Sequence, residues 1–152
     1  WYDIKGMAIA DKQDAEGIRD SAAEIEQLIA REAERGVAPE SIVIAGFSQG
    51  GAIALHTGVR HADRLAGIMG LSTYLPLADS LATEASDANR ATPVLMAHGS
   101  QDPVVPVQLG QASRDQLLDA GYDVAWHEYP MQHQVCMPQI ATIGRWLGER
   151  LL

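Results

Sequence analysis

The chain has 152 residues, a net charge of −9 with histidine neutral, and 47% hydrophobic residues. That length is one domain's worth and that apolar share is enough for a core, while the acidic balance disfavours nucleic acid and anionic membrane surfaces and suits a soluble protein. The single cysteine, Cys136, excludes an internal disulfide and allows a reducing compartment, so the cytoplasm is the expected location; no apolar run reaches membrane-spanning length, and the opening residues carry no signal-peptide pattern.

Trp1 to Lys12 reads as short and irregular. Its head, Trp1-Tyr2-Asp3, resembles the middle of a protein, so a fragment or processed product is expected. Asp14 to Arg35 is predicted helical: Ile18, Ala22, Ile25 and Ile29 recur at three- and four-residue steps, with Leu28 beside them. Gly36 is the expected stop and Pro39 the exit. Ile42 to Phe47 is an apolar run that reads as a buried strand, and a helix follows from about Ala52 to His61. Leu65 to Gly70 reads as a second strand and Ser72 to Ala91 as a connection with at most one short helical turn. Pro93 to His98 is a third strand, Val107 to Ala120 a helix stopped by Gly121, and Asp123 to Tyr129 a fourth strand. Gln139 to Leu152 closes as a helix with Ile140, Ile143, Trp146, Leu147 and Leu151 inward. Strands alternate with helices, which predicts an α/β fold: one domain over 1–152, a parallel sheet with helices on both faces.

Between the first strand and its helix lies Gly46-Phe47-Ser48-Gln49-Gly50, a Gly-x-Ser-x-Gly motif. Alone it is a weak signal, equally a glycine-rich turn carrying an incidental serine. In a strand–turn–helix context it has a mechanism: the turn is too tight for side chains at the glycines, and the serine hydroxyl is left exposed at the strand's end. The backbone N–H of Gln49 would then face developing negative charge with the helix dipole behind it. A serine needs a base, and the base an orienting carboxylate, in the order Ser, Asp or Glu, His along a parallel-sheet hydrolase. Asp102 follows the third strand in His98-Gly99-Ser100-Gln101-Asp102-Pro103, and His133 follows the fourth. Each has a bland reading, a turn aspartate before proline and an exposed loop histidine. The agreement of three positions with one template favours Ser48, Asp102 and His133 as the catalytic set. His56 and His61 read as ordinary helix residues, His98 as a buried hydrogen-bonded residue, His127 as mid-strand, and Cys136 as a small buried apolar residue. No metal-ligand spacing or phosphate loop is present, so neither metal nor cofactor is expected.

Gly46-Phe47-Ser48-Gln49-Gly50-Gly51, Leu71-Ser72-Thr73-Tyr74-Leu75-Pro76, His98 to Pro106 and the His133 loop together resemble the bacterial carboxylesterases and acyl-protein thioesterases of the phospholipase/carboxylesterase family, within the α/β-hydrolase fold. The resemblance runs from Trp1 to the final helix and implies Ser48 as nucleophile, Asp102 as orienter and His133 as base. It also implies a substrate pocket edged by Tyr74 and Leu75, with Val105 and Met131 as further candidates. Where the family usually carries glycine before the histidine, this chain has Gln132. The family's first strands and its second oxyanion donor would lie upstream of Trp1, so the chain would hold the C-terminal two-thirds of the fold. The Ile42 strand would then need a pairing partner, either an upstream segment of the same protein or a second copy. The expected activity is hydrolysis of small or short-chain acyl esters through an acyl-enzyme, with a small-molecule ester as substrate. The alternatives are a thioesterase or lysophospholipase on longer acyl chains, or a non-catalytic hydrolase fragment.

Overall fold

A computed structural model describes residues 14–152, and the reading of Trp1 to Lys12 lies outside them. Four strands, β1 (Val43–Phe47), β2 (Gly67–Leu71), β3 (Val94–Gly99) and β4 (Val124–Tyr129), form one parallel sheet in the order β1-β2-β3-β4. The helices are α1 (Ala15–Glu34), α2 (Gln49–Gly58), α3 (Leu81–Glu84), α4 (Val107–Asp119) and α5 (Met137–Leu151).

Alternation along the strands sorts the core into two faces. Ile44, Ile68, Val94, Met96 and Val124 pack with Leu55 and Val59, from α2 and its end, and Leu117 of α4. Val43, Met69, Leu71, Leu95 and Ala125 pack on the other face with Ile143, Trp146 and Leu147 of α5. β3 is fully buried, whereas β1 is only partly so and has no strand on its far side among the described residues.

The helix ends follow local chemistry. Gly36 and Gly121 take φ of 90° and 87°. There the N–H of each glycine and of the residue after it reach back to the last turn: Gly121 to Leu118 and Tyr122 to Leu117, Gly36 to Ala33 and Val37 to Glu32. The structure differs from the sequence expectation in three places. α2 spans Gln49–Gly58 rather than 52–61, because the turn at Ser48 leads straight into the helix, and His61, expected within it, lies beyond its end. The connection after β2 carries three short helical turns, Ala78–Ser80, Leu81–Glu84 and Asp87–Asn89. Ile140 and Leu151 of α5 are exposed, at 49% and 46%, since the face defined by Ile143, Trp146 and Leu147 turns them outward.

Buried polar groups tie that connection down. Asn89, fully buried, donates to the carbonyls of His61 and Asp63 and accepts from the N–H of Leu65 and the hydroxyl of Thr92. Glu84 accepts from Ser80, Arg60 and Arg19 at 2.6–2.8 Å, and the Ser80 hydroxyl, then Arg60, hold its pKa down to about 2. His56, buried on α2, has its pKa lowered to about 4 by burial first and by Arg60 second.

Two expectations follow from this packing. Trp146→Ala should lower stability by about 3–5 kcal/mol, read as a lower urea midpoint; a loss under about 1 kcal/mol would show that α5 does not close the second face. His56 binds its proton more readily in the unfolded chain, where its pKa returns toward 6.5. Its contribution is therefore complete above about pH 6.5 and is lost as pH falls toward about 4, on the order of 1–3 kcal/mol. Urea midpoints across that range should converge for wild type and His56→Gln; parallel curves would contradict it.

Candidate active site

β1 ends in a turn that only glycine permits at one point: a Cβ on Gly46 would land on the carbonyl group of Gly50. The next turn residue, Ser48, has φ 54° and ψ −123°, a conformation that side-chain-bearing residues rarely adopt. Its N–H donates to the carbonyl of Leu71 at 2.8 Å, so the end of β2 holds the turn from the side. Gln49 opens α2, which places its N–H at the positive end of the helix dipole, directly after the serine.

The loops after β3 and β4 bring two more side chains to this point. His133 Nε2 lies 3.0 Å from Ser48 Oγ and His133 Nδ1 lies 2.7 Å from Asp102 Oδ2. Asp102 Oδ1 accepts the N–H groups of Val104 and Val105 at 2.8 and 2.9 Å, so the carboxylate is fixed at both oxygens. Burial pushes the Asp102 pKa up; the hydrogen bond from His133 and those from Val105 and Val104 outweigh it, and the carboxyl stays below its usual range. An ionised carboxylate only accepts. His133 therefore carries its proton on Nδ1, and its Nε2 lone pair faces the Ser48 hydroxyl, which donates to it. This arrangement can remove a proton from Ser48 as its oxygen attacks an electrophile.

Gln132 does not need a left-handed backbone. Among the described residues, only Ser48, Ser72 and Leu77 combine a side chain with positive φ, and His133 reaches both partners. A cavity of about 380 Å³ runs along β1 to Ser48 and Gln49, lined also by Ile25 of α1 and Ala54 of α2. Tyr74, Leu75, Val105 and Met131 do not line this cavity, which follows β1 rather than the loops that carry Asp102 and His133. Leu75 belongs to the core with Leu55 and Ile68, and Tyr74 packs against Ile18 and Ile53. Val105 and Met131 are 5% exposed and serve the loops through their backbone: the Val105 carbonyl accepts from His98 and the Met131 carbonyl from Gln101.

Phe47 went unnoticed in the sequence. Its ring sits 4.8 Å from the His133 imidazole, tilted by 52°. The available signal was its place between Gly46 and Ser48, where a strand-end side chain faces the same opening as the serine. His98 is buried and hydrogen-bonded, as expected. Cys136 is not a buried core residue: it is half-buried at the N-cap of α5, because the helix begins at Met137 with Pro138 in its first turn.

If Asp102 sets the His133 tautomer, Asp102→Asn should slow fluorophosphonate labelling of Ser48 by about 10³–10⁴ with the fold intact. A rate within tenfold of wild type would remove Asp102 from that role.

Comparison with known proteins agrees with this architecture. A profile of the phospholipase/carboxylesterase family matches residues 1–149. Acyl-protein thioesterase 1 of Gibberella zeae is 40% identical, over 99% of this chain and 68% of its own length, and that of Yarrowia lipolytica 39% identical over the same shares. Arabidopsis thaliana SOBER1 superposes with a TM-score of 0.93 at 27% identity, covering 100% of this chain and 74% of that one. Zea mays acyl-protein thioesterase 2 gives 0.86 at 28%, with 100% and 72% covered. These relatives are fungal and plant proteins, which corrects the resemblance to the bacterial members. On sequence and on the α/β-hydrolase fold alike, the chain belongs to the phospholipase/carboxylesterase family of serine hydrolases.

Proposed function

We infer that the protein hydrolyses acyl thioesters and esters with long acyl chains through an acyl-enzyme on Ser48. The observation that carries this is the 3.0 Å approach of Ser48 Oγ to His133 Nε2, with Asp102 on the far side of the imidazole. His133 takes the Ser48 proton as Oγ bonds to the acyl carbon, and the carbonyl oxygen becomes an oxyanion facing the Gln49 N–H. His133 then gives its proton to the leaving thiolate or alkoxide. Water, deprotonated by the same imidazole, attacks the acyl-enzyme, and the imidazolium returns that proton to Ser48 Oγ as the C–O bond breaks and the acid leaves. Asp102 stays ionised and stabilises the imidazolium formed in each half-reaction.

One finding favours a long acyl chain over the small esters expected from the sequence. The fungal relatives carry the name acyl-protein thioesterase 1. We place this activity in the cytoplasm, in line with a single cysteine and an acidic surface.

Ser48→Ala should lower kcat by about 10⁴ or more with little change in the thermal midpoint; turnover above a tenth of wild type would sink the nucleophile assignment. In the wild-type protein, kcat/KM for a palmitoyl thioester should exceed that for an acetyl ester by more than about tenfold. The reverse order would restore the short-chain carboxylesterase.

A further inference from the structure

Ser48 is held at both ends of its peptide environment by the last residue of β2 and the segment that follows it. Its N–H donates to Leu71, and its carbonyl accepts the Thr73 hydroxyl at 2.6 Å. Between these two contacts stands Ser72, which also has positive φ, at 48°, and is itself anchored by its N–H to the Ala97 carbonyl of β3. The second left-handed residue turns the chain so that the side chain of Thr73 reaches back under the first. Thr73 is 1% exposed, so its hydroxyl competes with no water. Its methyl lies in the space that a Cβ on Gly51 or Gly70 would need, which fixes the rotamer that aims the hydroxyl.

We propose that Thr73 is a positioning residue for the hydrolytic reaction: its hydroxyl keeps Ser48 in the strained conformation that presents Oγ to His133. This rests on Ser48 as nucleophile, as proposed above. The physical reason is that a left-handed serine persists only where its surroundings over-determine it. Among the described residues the Ser48 carbonyl has one other partner, the N–H of Ala52 at 3.1 Å, which is the ordinary first bond of α2 and would form in a relaxed turn as well. Thr73 is the contact that comes from outside the helix. Without it the turn loosens by part of an ångström, and misplacement on that scale reaches the rate rather than binding. Among the described residues the Thr73 hydroxyl bonds to the Ser48 carbonyl and to neither His133 nor Asp102, so its effect should fall on the rate rather than on affinity.

The test separates the hydroxyl from the methyl with two matched pairs. Thr73→Val keeps the shape and removes the hydroxyl; Thr73→Ser keeps the hydroxyl and removes the methyl; Thr73→Ala removes both. Steady-state kinetics on a palmitoyl thioester, fluorophosphonate labelling rates and thermal midpoints are measured for each, with Ser48→Ala alongside. The valine variant should lose about tenfold or more in kcat, equivalent to about 1.4 kcal/mol of barrier, with KM within twofold and labelling slowed in parallel. The serine variant should stay within about threefold of wild type in kcat and exceed the alanine variant by about tenfold, a contrast that decides the matter if the valine variant does not fold. Loss that follows the methyl, with valine normal and serine slow, would overturn the proposal in favour of packing, as would a loss confined to KM. Turnover retained in Ser48→Ala would overturn the nucleophile reading itself. An inactive Ser48→Ala with no effect of the hydroxyl would overturn the role of Thr73 alone.

Discussion

The turn at Ser48 is the constraint on which the rest of the site depends. The turn has to reverse direction within the space between Gly46 and Gly50, and it does so by leaving Ser48 at φ 54°. A strained residue relaxes unless its neighbours forbid it. Here the forbidding neighbours are β2 and its exit: Leu71 takes the N–H and Thr73 the carbonyl. The parallel register that pairs Phe47 with Leu71 brings these groups level with the serine. The sheet therefore does more than carry the nucleophile to one edge of the molecule; its second strand sets the angle at which the hydroxyl emerges.

The other two members of the array are fixed by the same logic of strand ends. β3 and β4 stop at Gly99 and Tyr129, level with each other in register, and the loops beyond them supply Asp102 and His133. Asp102 is oriented by two backbone N–H groups of its own loop, and that loop is closed by His98, whose Nε2 donates to the Val105 carbonyl at 2.8 Å. His133, through Ser48 Oγ and the Phe47 ring, joins these loops to the end of β1. A carboxylate buried this far would ordinarily regain a proton; the three donors around it keep it charged, and that charge selects the imidazole tautomer with a lone pair toward the serine.

Behind the site, polar networks take the place of further apolar packing. Asn89 uses all its hydrogen-bonding capacity in a fully buried position, and Glu84 joins α1, α2 and the connection through two arginines. Such groups fix the path of 72–91, the stretch from which Thr73 reaches Ser48. Satisfied buried networks specify one arrangement more than they add stability, since each polar group gives up its hydration to join. The connection is thus held in a single position next to a turn that would relax if it were free to move.

Alternation of apolar runs with helical periodicity was enough, from the sequence, to place every strand within two residues and to predict a parallel sheet covered on both faces. Those signals are local, and local sterics and burial set them. The motif and the order Ser48, Asp102, His133 were also legible, because each residue stands just past a strand and parallel strands end on one side. The packing around the site was not. Leu75 sits in the core with Leu55 and Ile68, Tyr74 packs half-buried against Ile18 and Ile53, and Ile25, 23 positions before Ser48, faces a cavity that runs along β1. Asn89, Thr73 and Phe47 were equally silent in the sequence. A buried asparagine, a threonine after a strand and a phenylalanine beside a serine carry no periodicity and no spacing of their own. What each does depends on a partner tens of residues away, and only the tertiary fold brings that partner within hydrogen-bonding or van der Waals reach.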